Sequence, residues 1–475
     1  MGEADVRELV VIGGGPGGYP AAFYAADLGM DVTLIDMEKN PGGVCLYRGC
    51  IPSKALLHAA AVLGEAKHAE EFGVTFGEPS LDVDKLRSWK QSVVQKLTGG
   101  LGQLAKSRKV RYVQGRARFV DSSTVEVEKS DGSKQSISFK TALLATGSRP
   151  ATIPIAPDSP RVIDSTGALD LEDIPKRLLV IGGGYIGLEL GQAYAAFGSK
   201  VSVVEMLPSL MTGADADLVK PLVSRLNQQF DSIMLETRVE DIKASDKTVS
   251  VTMQDKEGTS FTKTYDRVLI SVGRKPNTSD LGLENTKVQI DQQGFVETNA
   301  QRQTGEPTIF AIGDIAGQPM LAHKATYEGK IAVEAISGRR SVYDPAAIPA
   351  VVFTDPEIAW TGLTEAEARK TGQDVQVSTF PWAASGRATT LGRSDGLTKL
   401  LADPETGRVL GVGITGPGAG EMIGEGTLAI EMGAVAEDLA QTIHAHPTLS
   451  ETVMEAAEGI LGHATHFASR KPKKK

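Results

Sequence analysis

Only two cysteines occur in the 475 residues, Cys45 and Cys50, in the run Gly42-Gly43-Val44-Cys45-Leu46-Tyr47-Arg48-Gly49-Cys50-Ile51-Pro52-Ser53-Lys54. Three chemistries are open to such a pair. As a structural staple it is poor: closing so short a loop stabilises by about 2 kcal/mol on the chain-entropy model, and a reducing compartment opposes it. As a zinc site it lacks a second cysteine pair, and any histidine ligand would come from afar. A redox-active dithiol fits better. Pro52 and Ser53 signal the start of a helix over 55–66, which puts Cys50 at its N-terminal end, where the helix dipole and the charge of Lys54 favour a thiolate.

Dithiol chemistry near neutral pH needs a group that takes and returns a proton, and imidazole, with an ordinary pKa of about 6.5, suits the task. In His444-Ala445-His446-Pro447-Thr448-Leu449-Ser450-Glu451, His446 is the candidate base. Glu451 would hold its other ring nitrogen and fix the tautomer. Blander readings stand beside this one. Thr448 and Glu451 have the spacing of a helix capping box, and a histidine before proline can simply close a turn. A metal held by His444 and His446 has no clear third ligand, and no metal site is expected. His58, His68, His323, His463 and His466 carry no comparable constellation and read mostly as surface or helix residues.

Groups of this kind must be positioned, and the chain repeats one positioning unit. Residues 9–36 laid over 178–205, a constant offset of 169, give ten identities in 28 positions without a gap. Each copy opens with a short apolar run, Leu9–Ile12 and Leu178–Ile181, suited to a strand buried on both faces. A glycine-rich turn, an alanine-rich helix (21–28 and 190–197) and a second strand (Val32–Ile35, Val201–Val204) follow. Gly13, Gly15 and Gly18 fit the GxGxxG spacing, as do Gly182, Gly184 and Gly187. Glycine is needed there so that a diphosphate can approach backbone N–H groups and the helix N-terminus. Asp36 and Glu205 end the second strands, where a carboxylate accepts ribose hydroxyls. Glu205 would repel a 2′-phosphate, and residues 206–211 contain no Arg or Lys to offset it, so NAD is expected rather than NADP.

The expected architecture is α/β: two Rossmann-like units and a C-terminal α+β domain. The boundaries read as 1–149 for the first unit, 150–276 for the second, 277–345 for a return to the first, and 346–475 for the last domain. Thr141–Thr146 and Arg267–Val272 read as closing strands, Thr308–Gly313 as another, followed by a helix over 322–336. Beyond Pro345, antiparallel strands are expected at 351–354, 399–402 and 409–414, with helices around 364–370 and 418–432.

Length divided by roughly 150 residues per domain agrees with about three domains. The net charge of 50 − 59 = −9, with one basic block at Lys471–Lys475, argues against nucleic-acid binding as the main role. That tail reads as a solvated terminus. No run of about 18 apolar residues occurs. The first residues lack a basic leader, and Val6 stands where a myristoylation signal wants Ser or Thr, so a cytoplasmic or matrix-like setting is expected.

The segment Gly42 to Lys54 resembles the redox-disulfide signature of the pyridine nucleotide-disulfide oxidoreductases, and the likeness extends over essentially the whole chain. It is greatest to the members that oxidise dihydrolipoamide. The resemblance implies that the first unit binds FAD and the second NAD, that Cys45 and Cys50 form a redox disulfide, that Cys45 exchanges with a dithiol substrate, and that Cys50 contacts the flavin. Lys54 and Glu189 match the family's ion pair beside the flavin; taken alone, Glu189 equally fits a solvated helix charge. Thr308–Asp314 is similar to the second flavin motif, with Asp314 accepting a ribitol hydroxyl, although by itself it also fits an Asx turn. By the same resemblance Gly13, Gly15, Gly18, Asp36, Lys54, Gly115, Ala117, Thr146, Gly147, Ser148, Asp314 and Ala322 would line FAD. Gly182, Gly184, Tyr185, Ile186, Gly187, Glu205, Val239, Ser271, Val272, Gly273 and Arg274 would line NAD.

The resemblance also implies a homodimer in which His446 reaches the disulfide of the other subunit, and lipoyl-carrying subunits of 2-oxo acid dehydrogenase or glycine cleavage complexes as partners. An NADPH-dependent disulfide reductase is opposed by Glu205, and a mercuric reductase would need further cysteines. A silent FAD/NAD-binding scaffold or redox sensor is opposed by the intact Cys45, Cys50, Lys54, His446 and Glu451. The chain departs from the pattern at Tyr47 and Arg48, where relatives commonly show residues such as Asn-Val. Arg48 is expected to lower a thiolate pKa or to contact a carrier.

Overall fold

The computed structural model describes residues 6–468; the Lys471–Lys475 tail lies outside them. The helices used below are α1 (Gly18–Asp27), α2 (Gly43–Arg48), α3 (Cys50–His68), α4 (Val83–Ser107), α5 (Tyr185–Ala196), α6 (Ala322–Ile336), α7 (Ala419–Glu431) and α8 (Glu451–Leu461).

The first apolar run forms the strand Arg7–Ile12, paired in parallel with Val32–Asp36 on one side and Lys134–Leu144 on the other. Its side chains alternate between two cores: Leu9 and Val11 pack on one face with residues of α1 and α6, Val10 and Ile12 on the other. A strand apolar at every position is what burial on both faces demands. Ile309–Ala311 returns to pair in parallel with Lys134–Leu144. Arg111–Gln114 joins Val32–Asp36 in parallel, and Arg116–Asp121 and Thr124–Glu128 extend the sheet by antiparallel pairing, giving seven strands.

The second run repeats the plan. Arg177–Ile181 lies between Lys200–Val204 and Arg267–Ile270 in a five-stranded parallel sheet. Leu178 and Val180 face one core, Leu179 and Ile181 another. A three-stranded antiparallel sheet, Arg238–Ala244, Val249–Gln254 and Ser260–Tyr265, inserts before Arg267. A short ladder between Ser148–Pro150 and Arg274–Pro276 joins the two units.

The last sheet is antiparallel, in the order Ala350–Val352, Ile358–Gly362, Val409–Thr415, Leu397–Ala402, Gln376–Pro381, with α7 and α8 contributing to its core. Lys399, 1% exposed, ties this domain to the second unit: its ammonium meets Asp215 at 3.0 Å and Asp217 at 2.8 Å, and also Glu365.

Several expected boundaries shift for local reasons. The strand expected to reach Thr146 stops at Leu144, and the one expected to reach Val272 stops at Ile270. Gly147 and Gly273 follow at φ +69 and +109, a left-handed turn that carries the chain off the sheet. The strand expected over 308–313 spans only Ile309–Ala311, because Gly313 opens a 3₁₀ turn. Helix α3 starts at Cys50 rather than at residue 55, since Pro52 sits in the first turn, where its missing N–H costs nothing. Helices α1 and α5 likewise begin earlier than expected, at Gly18 and Tyr185.

Candidate active site

The two glycine turns are built alike. Gly13 and Gly182 adopt φ +104 and +109, and a Cβ there would overlap the carbonyl oxygen of Ala145 or Ser271 on the neighbouring strand connection. Only glycine permits that approach. The strand-end acids brace the turns: Gly14 N–H donates to Asp36 at 2.5 Å, and Gly183 N–H to Glu205 at 2.6 Å. Neither α1 nor α5 has a side-chain N-cap, so their first N–H groups remain available to an anionic ligand.

The first cavity runs from Gly13, Gly15 and Asp36 past Cys45 and Cys50 to Lys54 and Glu189, and its far wall includes Thr146, Gly147, Ser148, Asp314 and Ala322. Ser148 Oγ donates to the Asp314 carboxylate and accepts from Arg274 Nε at 2.7 Å. Burial pushes the Asp36 carboxyl above its ordinary range, against the opposing Gly14 hydrogen bond and the Arg48 charge.

At the middle of this cavity Cys45, on α2, and Cys50, opening α3, are both free thiols that hydrogen-bond each other. The pair divides its charge unequally. The hydrogen bond from Cys45 lowers the Cys50 thiol to about 7; burial opposes this and Lys54 assists. The same hydrogen bond, then burial, pushes Cys45 far up. The reduced pair is therefore a Cys45 thiol donating to a Cys50 thiolate.

Lys54 is one turn beyond Cys50. Its ammonium meets Glu189 Oε2 at 2.7 Å and lies 4.4 Å from the centre of the Phe353 ring. Glu189 is 2% exposed on α5; Ser53 Oγ donates to it at 3.3 Å and Phe353 N–H at 2.9 Å. The solvated reading of Glu189 is thereby excluded. A Lys54→Met substitution removes the nearest cation, so the alkylation rate of Cys50 in reduced protein, followed against pH, shifts its midpoint upward from about 7. An unchanged midpoint would show that Lys54 leaves the thiolate alone.

The second cavity is lined by Gly182, Gly183, Gly184, Glu205, Val239, Ser271, Val272 and Gly273. Arg238, outside the window 206–211, also lines it. Tyr185, Ile186 and Arg274, assigned to NAD by resemblance, line the first cavity instead, because the N-terminus of α5 and the Arg274–Ser148 link lie where the units meet. Gly18 and Gly187 line neither cavity but pack tightly on Gly13 and Gly182. Gly115 and Ala117 also line neither: Gly115 packs against Val127 and Glu128, and Ala117 is a core residue.

His446 Nδ1 faces Glu451 Oε1 at 2.8 Å, and the second carboxylate oxygen accepts Thr448 N–H at 2.6 Å. Glu451 thus serves both the orienting and the cap-like reading. Burial raises its pKa, but the hydrogen bonds from Thr448 and His446 outweigh it and hold the carboxyl below its ordinary range. The His446 side chain is 79% exposed and lines neither cavity of its own chain. His444 is engaged elsewhere, between Thr442 O at 2.9 Å and Glu425 at 2.8 Å. His58, His323 and His466 are exposed; His68 is partly buried on α3, edge-on to Phe72.

Arg48 does not act on the thiols as expected: it pairs with Glu38, and the cation that lowers Cys50 is Lys54. Ser53 and Phe353 were not anticipated; nothing local marks Phe353, which meets Lys54 only through the tertiary fold.

A family model described as pyridine nucleotide-disulphide oxidoreductase matches residues 7–329, and the dimerisation domain of the same family matches 348–457. The chain belongs to the pyridine nucleotide-disulphide oxidoreductase family. It is 49% identical over 98% of both chains to a dihydrolipoyl dehydrogenase of Vibrio cholerae, and 48% identical, with the same coverage, to one of Geobacillus stearothermophilus. Among solved structures it is similar to LpdA from Mycobacterium tuberculosis (TM-score 0.88, 27% identity, 95% of this chain and 99% of that one). It is also similar to a Cu(II) complex of the HOCl-induced flavoprotein disulfide reductase RclA from Escherichia coli (TM-score 0.85, 28% identity, 96% and 99%).

Members of this oxidoreductase family use FAD and NAD. The residues fit both groups: two left-handed glycine turns that a Cβ would close, two uncapped helix N-termini, and an acid at each strand end. Among the described residues no helix is long and apolar enough to cross a membrane.

Proposed function

We propose that this chain is a dihydrolipoyl dehydrogenase, oxidising protein-bound dihydrolipoyl groups through Cys45 and Cys50 with NAD⁺ as acceptor. The observation that carries the reading is the unequal Cys45–Cys50 pair inside a cavity walled by one of two matched dinucleotide folds. The near-half identity to dihydrolipoyl dehydrogenases over almost the full length supports it.

In the oxidised state the two sulfurs form a disulfide. A substrate thiolate attacks Cys45 Sγ, and the Cys50 sulfur leaves as the thiolate that its environment stabilises. The second substrate sulfur then displaces Cys45, closing the cyclic lipoyl disulfide and leaving a Cys45 thiol beside a Cys50 thiolate. The proton released from the substrate goes to an imidazole. Because His446 lines neither cavity of its own chain, we assign that role to the partner subunit's His446 in a homodimer built on the matched dimerisation domain. Glu451 orients its ring. FAD, when bound, supplies the two-electron relay from the dithiol to the nicotinamide. Gly13, Gly15, Asp36, Ser148 and Asp314 would hold FAD; Gly182, Gly184, Glu205 and Val239 would hold NAD.

Lipoyl-carrying subunits of 2-oxo acid dehydrogenase or glycine cleavage complexes are the partners this reading implies. Its setting is the cytosol or an equivalent matrix compartment.

The test is initial-rate kinetics with dihydrolipoamide and either NAD⁺ or NADP⁺. NAD⁺ is the strongly preferred acceptor, and a chain that reduces neither would end the reading. Glu205→Ala removes the carboxylate but leaves Arg238 in the cavity. The NAD⁺-over-NADP⁺ ratio of kcat/KM therefore falls by about tenfold or more, the scale of one charge-assisted hydrogen bond. An unchanged ratio would show that Glu205 does not select the cofactor.

A further inference from the structure

Tyr47 and Arg48 lie between the two cysteines, and neither contacts a sulfur to do its work. Tyr47 hydroxyl donates to Asn40 O at 3.0 Å and accepts Asn40 N–H at 3.3 Å. Arg48, at the end of α2, pairs with the carboxylate of Glu38. Both therefore fasten α2 to the loop that runs from Asp36 to Gly42. That loop is pinned from behind as well, by Tyr112 hydroxyl donating to Glu38 O at 2.8 Å and Glu38 N–H to Asp36 Oδ1 at 2.8 Å.

Arg48 and Glu38 both line the first cavity, so their pair joins its two walls at the Asp36 end. The charge there is otherwise negative, with Asp36 and Glu38 on one wall. The cavity's other cations are engaged at a distance, Lys54 by Glu189 and Arg274 by Ser148. A dinucleotide carries two negative charges on its diphosphate, and two unbalanced carboxylates would repel them.

We propose that Arg48 is a clasp that retains FAD by charge: it offsets the carboxylates of Asp36 and Glu38 at that end of the cavity, which would otherwise repel the diphosphate of the cofactor. The inference rests on the first cavity being the FAD site.

The test is titration of flavin-free protein with FAD, followed by flavin fluorescence, together with the rate of FAD release. Arg48→Gln weakens FAD binding by about tenfold or more at low salt, and raising the salt narrows the gap. Arg48→Lys, which keeps the charge, stays close to wild type. Glu38→Gln, which leaves Arg48 unopposed, binds FAD at least as tightly as wild type, and this arm decides the matter if circular dichroism shows that R48Q is misfolded. Wild-type protein that takes up no FAD overturns the reading of the cavity and the clasp with it. Wild-type protein that binds FAD beside an R48Q variant of equal affinity and salt dependence overturns the clasp alone, as does weakened binding by E38Q.

Discussion

Cys45→Ser lowers NAD⁺-linked oxidation of dihydrolipoamide by about 10³-fold or more, the scale expected when a nucleophilic relay loses its reacting atom. The physical reason is in the pair itself. Cys50 is the member whose thiolate is stabilised and therefore the better leaving group, which directs attack by the substrate thiolate to Cys45. A serine oxygen forms no disulfide, and the electron pair then has no path from the substrate. In Cys45→Ala, which is equally unable to form the disulfide and has no donor at this position, the Cys50 thiolate also titrates above about 7. The signs follow directly: above its pKa Cys50 is a thiolate, and losing a donor to that thiolate moves the pKa up. Both changes are measurable in one preparation of Cys45→Ala, turnover by NADH formation and the thiolate by its ultraviolet absorbance against pH. Turnover within a few-fold of wild type would remove the dithiol relay.

His446→Ala, the second large effect, slows turnover by about 10²- to 10⁴-fold, as loss of a general acid–base group does. The more telling measurement uses both variants. His446 lines neither cavity of its own chain, and on the proposed reading each site takes a sulfur pair from one chain and an imidazole from the other. Unfolding and refolding C45S and H446A chains together forms hybrid dimers in which one site is doubly damaged and the other intact. With random pairing half the dimers are hybrids, and activity recovers to about one quarter of wild type. A mixture no more active than the separate variants would place both groups in one subunit. Glu451→Gln, which keeps the shape but loses the charge facing His446 Nδ1, is the control for orientation.

Much of this was legible from the sequence because the signals are local. The GxGxxG spacing, the offset of 169, and the acids at 36 and 205 all lie within single strand–turn–helix units, and there the backbone behaves as its residues require: Gly13 and Gly182 take up nearly the same left-handed φ. The position of Cys50 at a helix N-terminus was also readable, although α3 starts earlier than the turn signals implied because proline is tolerated in a first turn. The antiparallel insertion at 238–265 escaped notice despite a clear alternation in Val249-Ser250-Val251-Thr252-Met253, whose apolar members are buried.

Other features could not be read along the chain. Glu189 is an ordinary helix residue in sequence; it becomes the buried partner of Lys54 only because α5 packs against α3 and the backbone of Phe353 arrives from a third domain. Tyr185, Ile186 and Arg274 sit in the second unit yet face the first cavity, since the two units share a wall there. Arg48 looked like a modulator of the thiols by proximity in sequence, and the fold turned it toward Glu38 instead.

The amino-acid order by itself determined which groups can do the chemistry and the two nucleotide folds that hold them, because spacing within one strand, turn and helix is set by backbone geometry. Which carboxylate meets Lys54, which thiol carries the charge, and which cavity each wall residue faces were decided by the tertiary structure. Those outcomes depend on burial and on distances between elements far apart in the chain, quantities that no local pattern encodes.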